Sequence, residues 1–237
     1  MVTTSEQALG EQTAGEQTAG EQAAGEQTPS KHRDTPRSRQ RAQTKAEILA
    51  AALHQMAEDG VAGLNLSTVA GRVGLKQPSL YRYFPSRAAV YDALFELAAS
   101  MQRDAAVAAA AHGAGGWSTL RDVLYSTAHF VAAEPILAQL LFTRPVPGFS
   151  PSATAYGPSL EVMQISRDAV QDAVARGDLS AAAATEEGIR LLIALVGGVI
   201  NHYAANEPDV KDYSPLLEPA LAMYAEHFRP RRGRPAD

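Results

Sequence analysis

From Thr44 or Lys45 to Asp59 the apolar residues Ile48, Leu49, Ala52, Leu53 and Met56 keep helical spacing, which predicts a first helix that Gly60 stops. Asn65 then stands as a cap before Leu66, Val69, Ala70 and Val73, a second apolar face, and Gly74 follows the last periodic residue. Pro78 suits the first turn of a third helix, on which Leu80 and Phe84 are four apart, with Leu75 just after the glycine. Val61 and Leu64 close a three-helix core under the first helix. Ser86 caps a long fourth helix carried by Val90, Tyr91, Leu94, Phe95, Ala98 and Met101 to about Ala111, and Gly113, Gly115 and Gly116 break it.

The remaining pattern is again helical. Ser118 begins a fifth helix with Leu120, Val123, Leu124, Ala128 and Val131 inward, and Pro135 starts a short sixth from Ile136 to Phe142. Thr143 to Pro158 holds six Gly or Pro residues and reads as an irregular loop, either a wall or lid of a pocket or a plain surface connection. A seventh helix is expected from about Ser159 to Arg176 and an eighth from about Ala182 to Ala205, the latter nearly apolar all round between Ile189 and Ile200. Leu217, Leu221, Tyr224 and Phe228 form the stripe of a last helix. The predicted fold class is all-α: a small N-terminal three-helix domain followed by a larger helical one.

Charge divides the chain in the same places. The net charge of −5 conceals five Glu and no base in residues 1–30, ten Lys or Arg against four acids in 31–90, seven against sixteen in 91–228, and four against one in 229–237. Positive charge is thus concentrated on the two short helices and the stretch before them, the footprint of a duplex-binding domain attached to an acidic one. The segmentation read from this is a low-complexity repeat and basic arm (1–40), a DNA-binding domain (41–90), a second helical domain (91–228) and a basic tail (229–237). Residues 10–29 repeat Gly-Glu-Gln four times and carry almost no large apolar residue, so disorder is expected there. Lys31, Arg33, Arg37, Arg39, Arg41 and Lys45 form an arm suited to phosphates or a minor groove.

Two short helices joined by a tight turn are the frame of a helix-turn-helix, whose second helix reads DNA. The face opposite Leu80 and Phe84 presents Lys76, Gln77, Ser79, Tyr81, Arg82 and Tyr83. Gln can pair bidentately with adenine and Arg or Lys with guanine, while Ser and Tyr hold phosphates. A solvated helical hairpin in an unrelated protein shares the bare pattern. The residues themselves are more specific: Gly74 through Arg87, read as GLKQPSLYRYFPSR, resembles the signature of the tetracycline-repressor (TetR) family, with the likeness spanning roughly Lys45 to Leu97.

The resemblance implies a dimeric transcriptional regulator, usually a repressor, that binds a double-stranded DNA operator and releases it when its C-terminal domain binds a small-molecule effector. It implies that Gln77, Pro78, Ser79 and Tyr81 approach bases or phosphates, that Tyr83 and Arg87 hold the backbone, and that the fourth helix moves the reading heads. Asn65, Ser67, Lys76 and Arg82 complete the candidate DNA-binding set. Lys76 stands where many members have a capping Ser, and Ser67 where the family's eponymous repressor has a base-contacting Arg, so the operator sequence does not transfer. The last two helices of the family build a homodimer interface. The all-round apolar eighth helix agrees, and Leu192, Val196, Gly197, Ile200, Leu221 and Tyr224 are the candidate interface residues.

For the effector the candidates are Met101, Trp117, Tyr125, His129, Phe130, Phe142, Tyr156 and Met163, all on helices that surround the expected cavity and all suited to a hydrophobic or aromatic ligand. His129 and Arg167 are polar candidates. No cysteine is present, which excludes disulfides, thiolate metal sites and Cys nucleophiles. The six His are scattered without metal-ligand spacing, and no phosphate-binding glycine motif or nucleophile elbow occurs, so no cofactor, metal or catalytic activity is expected. No signal pattern opens the chain, and the longest apolar run falls short of the ~20 residues that span a bilayer, so a soluble cytoplasmic protein without membrane contact is expected. The competing reading is a helical interaction module that uses its basic arm on acidic partners without sequence-specific DNA binding.

Overall fold

The computed structural model describes residues 35–230, and among these every regular element is helical. The N-terminal repeat, the arm up to Asp34 and the tail from residue 231 lie outside the described residues. Helix α1 runs Pro36–Asp59, about two turns earlier than the apolar spacing predicts. Its start has its own chemistry: the Thr35 side chain accepts from Ser38 N–H, and Pro36 occupies the first turn, where its missing N–H costs nothing. Residues 36–43 are exposed on all sides, so no apolar stripe marks them as helical. Arg37, Arg39 and Arg41 therefore belong to a helix and not to an extended arm.

A 3-10 turn at Val61–Gly63 leads to α2 (Leu66–Arg72), then α3 (Gln77–Leu80) and α4 (Arg87–His112). Ile48, Ala52, Met56, Leu64, Val69, Leu80, Val90 and Leu94 are all buried to 2% exposure or less and knit these helices together. Next come α5 (Gly116–Ala133) and α6 (Pro135–Phe142). Gly115 and Gly116, both with positive φ, let the start of α5 press against the end of α7, where Gly116 N–H donates to Asp172 and Trp117 N–H to Asp178. The two carboxylates satisfy N–H groups that the helix itself leaves unbonded.

Helix α7 spans Ala153–Ala175 and corrects the expected loop, which shrinks to Thr143–Ser152. Gly157 and Pro158 lie inside the helix. Two contacts offset the missing proline hydrogen bond. Ser152 caps the helix and is itself gripped by Asp92 of α4, whose carboxylate accepts from Ser152 N–H at 2.7 Å and Ser152 Oγ at 2.8 Å. Pro158 and Ala155 are buried against the neighbouring helices. A second 3-10 turn (Ala181–Ala184) precedes α8 (Glu186–Asn206), and α9 (Ser214–His227) packs along it. Tyr224 closes this corner by donating toward the carbonyl oxygens of Ala183 and Gly188, at 3.3 and 3.2 Å.

The two domains share a continuous core. Helix α4 belongs to both, and α6 packs on the large-domain helices while its other side touches α1 and the Val61–Gly63 turn. Tyr91 of α4 is 1% exposed, and its hydroxyl donates to Val61 O at 2.7 Å. The small domain is therefore held to the large one by specific contacts, not by a linker alone.

Candidate nucleic-acid interface and effector cavity

Local hydrogen bonds shape the helix-turn-helix. The Asn65 side chain accepts from Ser67 N–H (2.9 Å) and Thr68 N–H (3.4 Å), which caps α2. Its own N–H donates to Gln55 Oε1 at 3.1 Å, and Gln55, only 2% exposed, is fixed in turn by Asp59. Gln55 thus orients the start of α2 from within α1. Gly74 takes φ +66°, and Leu75 N–H returns to Ala70 O at 2.9 Å, so the chain reverses tightly before α3.

The reading helix is shorter than the expected two turns. Helix α3 proper is Gln77–Leu80, and Tyr81, Arg82 and Tyr83 continue as hydrogen-bonded turns in which Tyr83 and Phe84 N–H both reach Leu80 O. Leu80 is fully buried and Phe84 nearly so, which turns the opposite face outward. Lys76, Gln77, Pro78, Tyr81 and Arg82 are exposed there, while Ser79 and Tyr83 are half-buried. Ser67 and Asn65 of the α2 start and Arg87 of the α4 start are also exposed, so the ten candidate DNA-binding residues flank one reading unit.

The cations of this domain fall into two groups. Arg72 is paired with Glu58 and contacts His54. Arg41, expected on a phosphate-seeking arm, instead packs over the Tyr83 ring at 5.3 Å and donates to Arg82 O at 3.1 Å, and Lys45 stands over the Phe84 ring at 5.6 Å. These two hold the turn that follows α3. Lys76, Arg82 and Arg87 form no ion pair among the described residues and leave their charge to solvent or to a partner.

In the large domain a cavity of about 380 Å³ opens between α4, α5, α6, α7 and α8. Its wall is mainly apolar: Leu124 of α5, Leu141 and Phe142 of α6, Tyr156, Val162 and Met163 of α7, and Ile189, Leu192, Ile193, Val196, Gly197 and Ile200 of α8. Gln102, Thr127, Ser159, Ser166, Arg167 and Asn201 are its polar members. Phe142, Tyr156 and Met163 are the expected effector residues found here, with Arg167 of the two polar candidates.

The other five expected effector residues lie elsewhere. Trp117 stacks on Tyr224 at 6.3 Å, Tyr125 donates to Glu218 at 2.6 Å, His129 is exposed beside Tyr125, Phe130 is buried in the core, and Met101 faces outward. Helical spacing put them on inward-looking helices but could not say which inward face meets a cavity. Gln102 and Ser159 were missed because a polar residue beside apolar ones reads as surface.

The six expected interface residues also need correction. Leu192, Val196, Ile200, Leu221 and Tyr224 are 1–6% exposed within a single chain, and Gly197 is a half-buried part of the cavity wall. They pack their own domain. The uncovered apolar surface of the same helices is a different one: Leu191, Ala194 and Gly198 on α8 with Leu216 and Met223 on α9, Met223 being 66% exposed. By length and hydropathy α8 could cross a membrane, yet a third of it is buried inside the domain and it walls the cavity.

Electrostatics in this domain are local and structural. A hydrogen bond from Gly116 N–H and the Arg176 guanidinium hold the Asp172 carboxyl below its ordinary value. The Tyr125 hydroxyl and Arg121 do the same for Glu218, as Arg167 does for Glu186. Burial pushes the Tyr224 hydroxyl up to about 12.

Comparison with known proteins places this architecture. Bacterial regulatory proteins of the tetR family match residues 48–94, the stretch from α1 through the reading helix into α4. That segment is a tetR-type helix-turn-helix. It is similar to the HTH-type transcriptional regulator Rv1816 of Mycobacterium tuberculosis, 28% identical over 148 residues that cover 59% of this chain; the alignment spans about 61% of that relative's own length. Two solved structures share the fold. One is a TetR family transcription regulator from Marinobacter aquaeolei (TM-score 0.62, 17% identity, 81% of this chain and all of the other). The second is the fatty acid degradation regulator FadR from Bacillus halodurans (TM-score 0.64, 15% identity, 78% and 99%). The matched family segment contains the helix-turn-helix but not the cavity, whose residues must be read from their own chemistry.

Proposed function

We propose that this chain is a ligand-responsive transcriptional regulator of the tetR family, acting as a repressor in the bacterial cytoplasm, that binds a palindromic duplex operator as a homodimer and lets go when a small hydrophobic molecule enters the cavity. The observation that carries this reading is the physical link between reader and cavity. Tyr156 lines the cavity and stacks on Phe95 of α4 at 6.0 Å, four residues from Tyr91, which holds the Val61 carbonyl of the small domain. Leu141 and Phe142 line the cavity from α6, whose other side touches α1 and the Val61 turn. A ligand that displaces Tyr156 or Phe142 therefore pushes on both elements that orient the reading helix.

Dimerisation is assigned to the uncovered face bearing Leu191, Leu216 and Met223, since such an apolar stripe on two adjacent helices is best covered by its own copy in a two-fold arrangement. Two heads about 34–36 Å apart then read half-sites one helical turn apart. In this arrangement Gln77 and Tyr81 meet base edges or phosphates, and Lys76, Arg82 and Arg87 supply positive charge to the backbone. The test is fluorescence anisotropy on DNA from the intergenic region beside the protein's own gene. Specific binding should disappear in Gln77→Ala and Tyr81→Ala while the dimer persists; unchanged affinity in both removes the reader from α3.

A further inference from the structure

The cavity wall is apolar except at a few points, and one of these is chemically unfinished. Gln102 of α4 and Thr127 of α5 are 5% and 8% exposed and share a long hydrogen bond, Nε2 to Oγ1 at 3.4 Å. Ser159 of α7 lines the same cavity, and its hydroxyl is buried with no hydrogen-bond partner among the described residues. A helical Ser ordinarily satisfies itself on a carbonyl one turn back. Ser166 does so on the same helix, donating to Val162 O at 3.0 Å, and Ser126 does so to Val123 O at 2.7 Å. Ser159 makes no such bond, although a buried polar group without a partner is a standing cost to the fold. An incoming ligand oxygen would remove that cost.

Charge narrows the class of ligand. Among the described residues Arg167 is the single charged one in the cavity's lining, and Glu186 already holds it with two hydrogen bonds at 2.7 and 3.2 Å. No carboxylate among the described residues lines the wall. An ionised ligand would thus lose its water without gaining an uncommitted counter-charge, which is far more costly than burying a neutral polar group that finds a hydrogen bond.

We propose that the cavity selects an uncharged, largely apolar ligand carrying a carbonyl or hydroxyl oxygen, held by the Ser159 hydroxyl and the Gln102 amide while its hydrocarbon fills the space between Leu124, Val162 and Val196. This rests on reading the cavity as the effector site. Ser159 sets specificity here, because its hydroxyl both donates and accepts and so receives a ketone, ester or alcohol equally well. The cavity volume, about 380 Å³, lies within the range of small-molecule sites.

The experiment is isothermal titration calorimetry of the full chain with four ten-carbon probes: 1-decanol, 2-decanone, decanoate and decylamine. Both neutral probes should bind at least about tenfold more tightly than either ion, the scale of an unmatched buried charge. Ser159→Ala should weaken the neutral probes about three- to tenfold, the worth of a net hydrogen bond, and raise the melting temperature of the ligand-free protein by removing the orphan hydroxyl. Gly197→Leu provides the control for the site itself. Gly197 lines the cavity and a Cβ there meets nothing within 4 Å, so a side chain can start from this position, and the bulk of leucine should abolish binding of every probe. Decanoate or decylamine binding as tightly as decanol, with all binding lost in Gly197→Leu, leaves the effector site standing and overturns the neutral class. Unchanged decanol affinity in Ser159→Ala removes Ser159 from the site. Failure of all four probes on the natural sequence, or binding that survives Gly197→Leu, overturns the effector-site reading.

Discussion

Tyr91→Phe removes one oxygen from the joint between the two domains and is expected to destabilise the protein by about 1–3 kcal/mol. The Tyr91 side chain is 1% exposed, and its hydroxyl donates to Val61 O at 2.7 Å. Phenylalanine keeps the ring and its 5.5 Å contact with Phe149, so packing is conserved and the loss is confined to one hydrogen bond and the buried carbonyl it leaves unpaired. At roughly 2–4 °C per kcal/mol for a chain of this size, the melting temperature should fall by about 2–12 °C. The assay is thermal unfolding by circular dichroism at neutral pH, with the natural sequence and Tyr91→Leu beside it; the leucine also loses the ring and should melt lower still. A second readout separates coupling from stability: well below the melting transition, the phenylalanine variant should still bind operator while a saturating effector releases it less completely. A melting temperature unchanged within about 1 °C, with full release by effector, refutes the Tyr91–Val61 bond as the joint.

Leu80→Ala empties a fully buried position on the inward face of α3 and should cost about 2–5 kcal/mol, seen as loss of operator binding together with lowered denaturant resistance. Met223→Glu, at a position 66% exposed, should give a folded monomer in sedimentation analysis, and a variant that stays dimeric moves the interface elsewhere. Stability should decline at both ends of the pH range. Asp172, Glu186, Asp212 and Glu218 are held below their ordinary values of 3.8 and 4.5, chiefly by hydrogen bonds from Gly116, Arg167, Ser214 and Tyr125 respectively. Their contribution is complete above those values and is lost as pH falls through the depressed ones. Tyr91, Tyr213 and Tyr224 are raised above 10.0 by burial, so their contribution is complete below pH 10.0 and is lost above it, for Tyr224 up to about 12. Melting temperatures across that range check the sign, and Glu218→Gln should flatten part of the acid limb.

The helix-turn-helix was legible because its determinants are local. Asn65 caps, Gly74 reverses, Pro78 starts and Leu80 buries, each through its own backbone chemistry and neighbours. Where the sequence misled, a distant contact decided. The breakers Gly157 and Pro158 read as loop because nothing nearby announces that Asp92, sixty residues earlier, clamps the cap of α7. The first two turns of α1 carry no apolar stripe, so only the Thr35 cap and Pro36 mark their start. Helix α8 has apolar residues on every side, and periodicity alone could not tell the face that walls the cavity, with Leu192 and Val196, from the face that remains uncovered, with Leu191 and Gly198. Ser159 and Gln102 escaped for the same reason: their burial is a property of the assembled helices.

The central claim is that α3 reads a specific operator on duplex DNA. Selection of bound fragments from the source genome with the purified full chain, at two salt concentrations and repeated with Tyr81→Ala, tests it directly. The expected result is one approximate palindrome with half-sites a helical turn apart, recovered less strongly at higher salt because cation contacts release counterions, and absent from the Tyr81→Ala selection. Fragments that share no sequence, retained unchanged by the variant, would contradict the assignment and leave a helical module that binds acidic partners through charge alone.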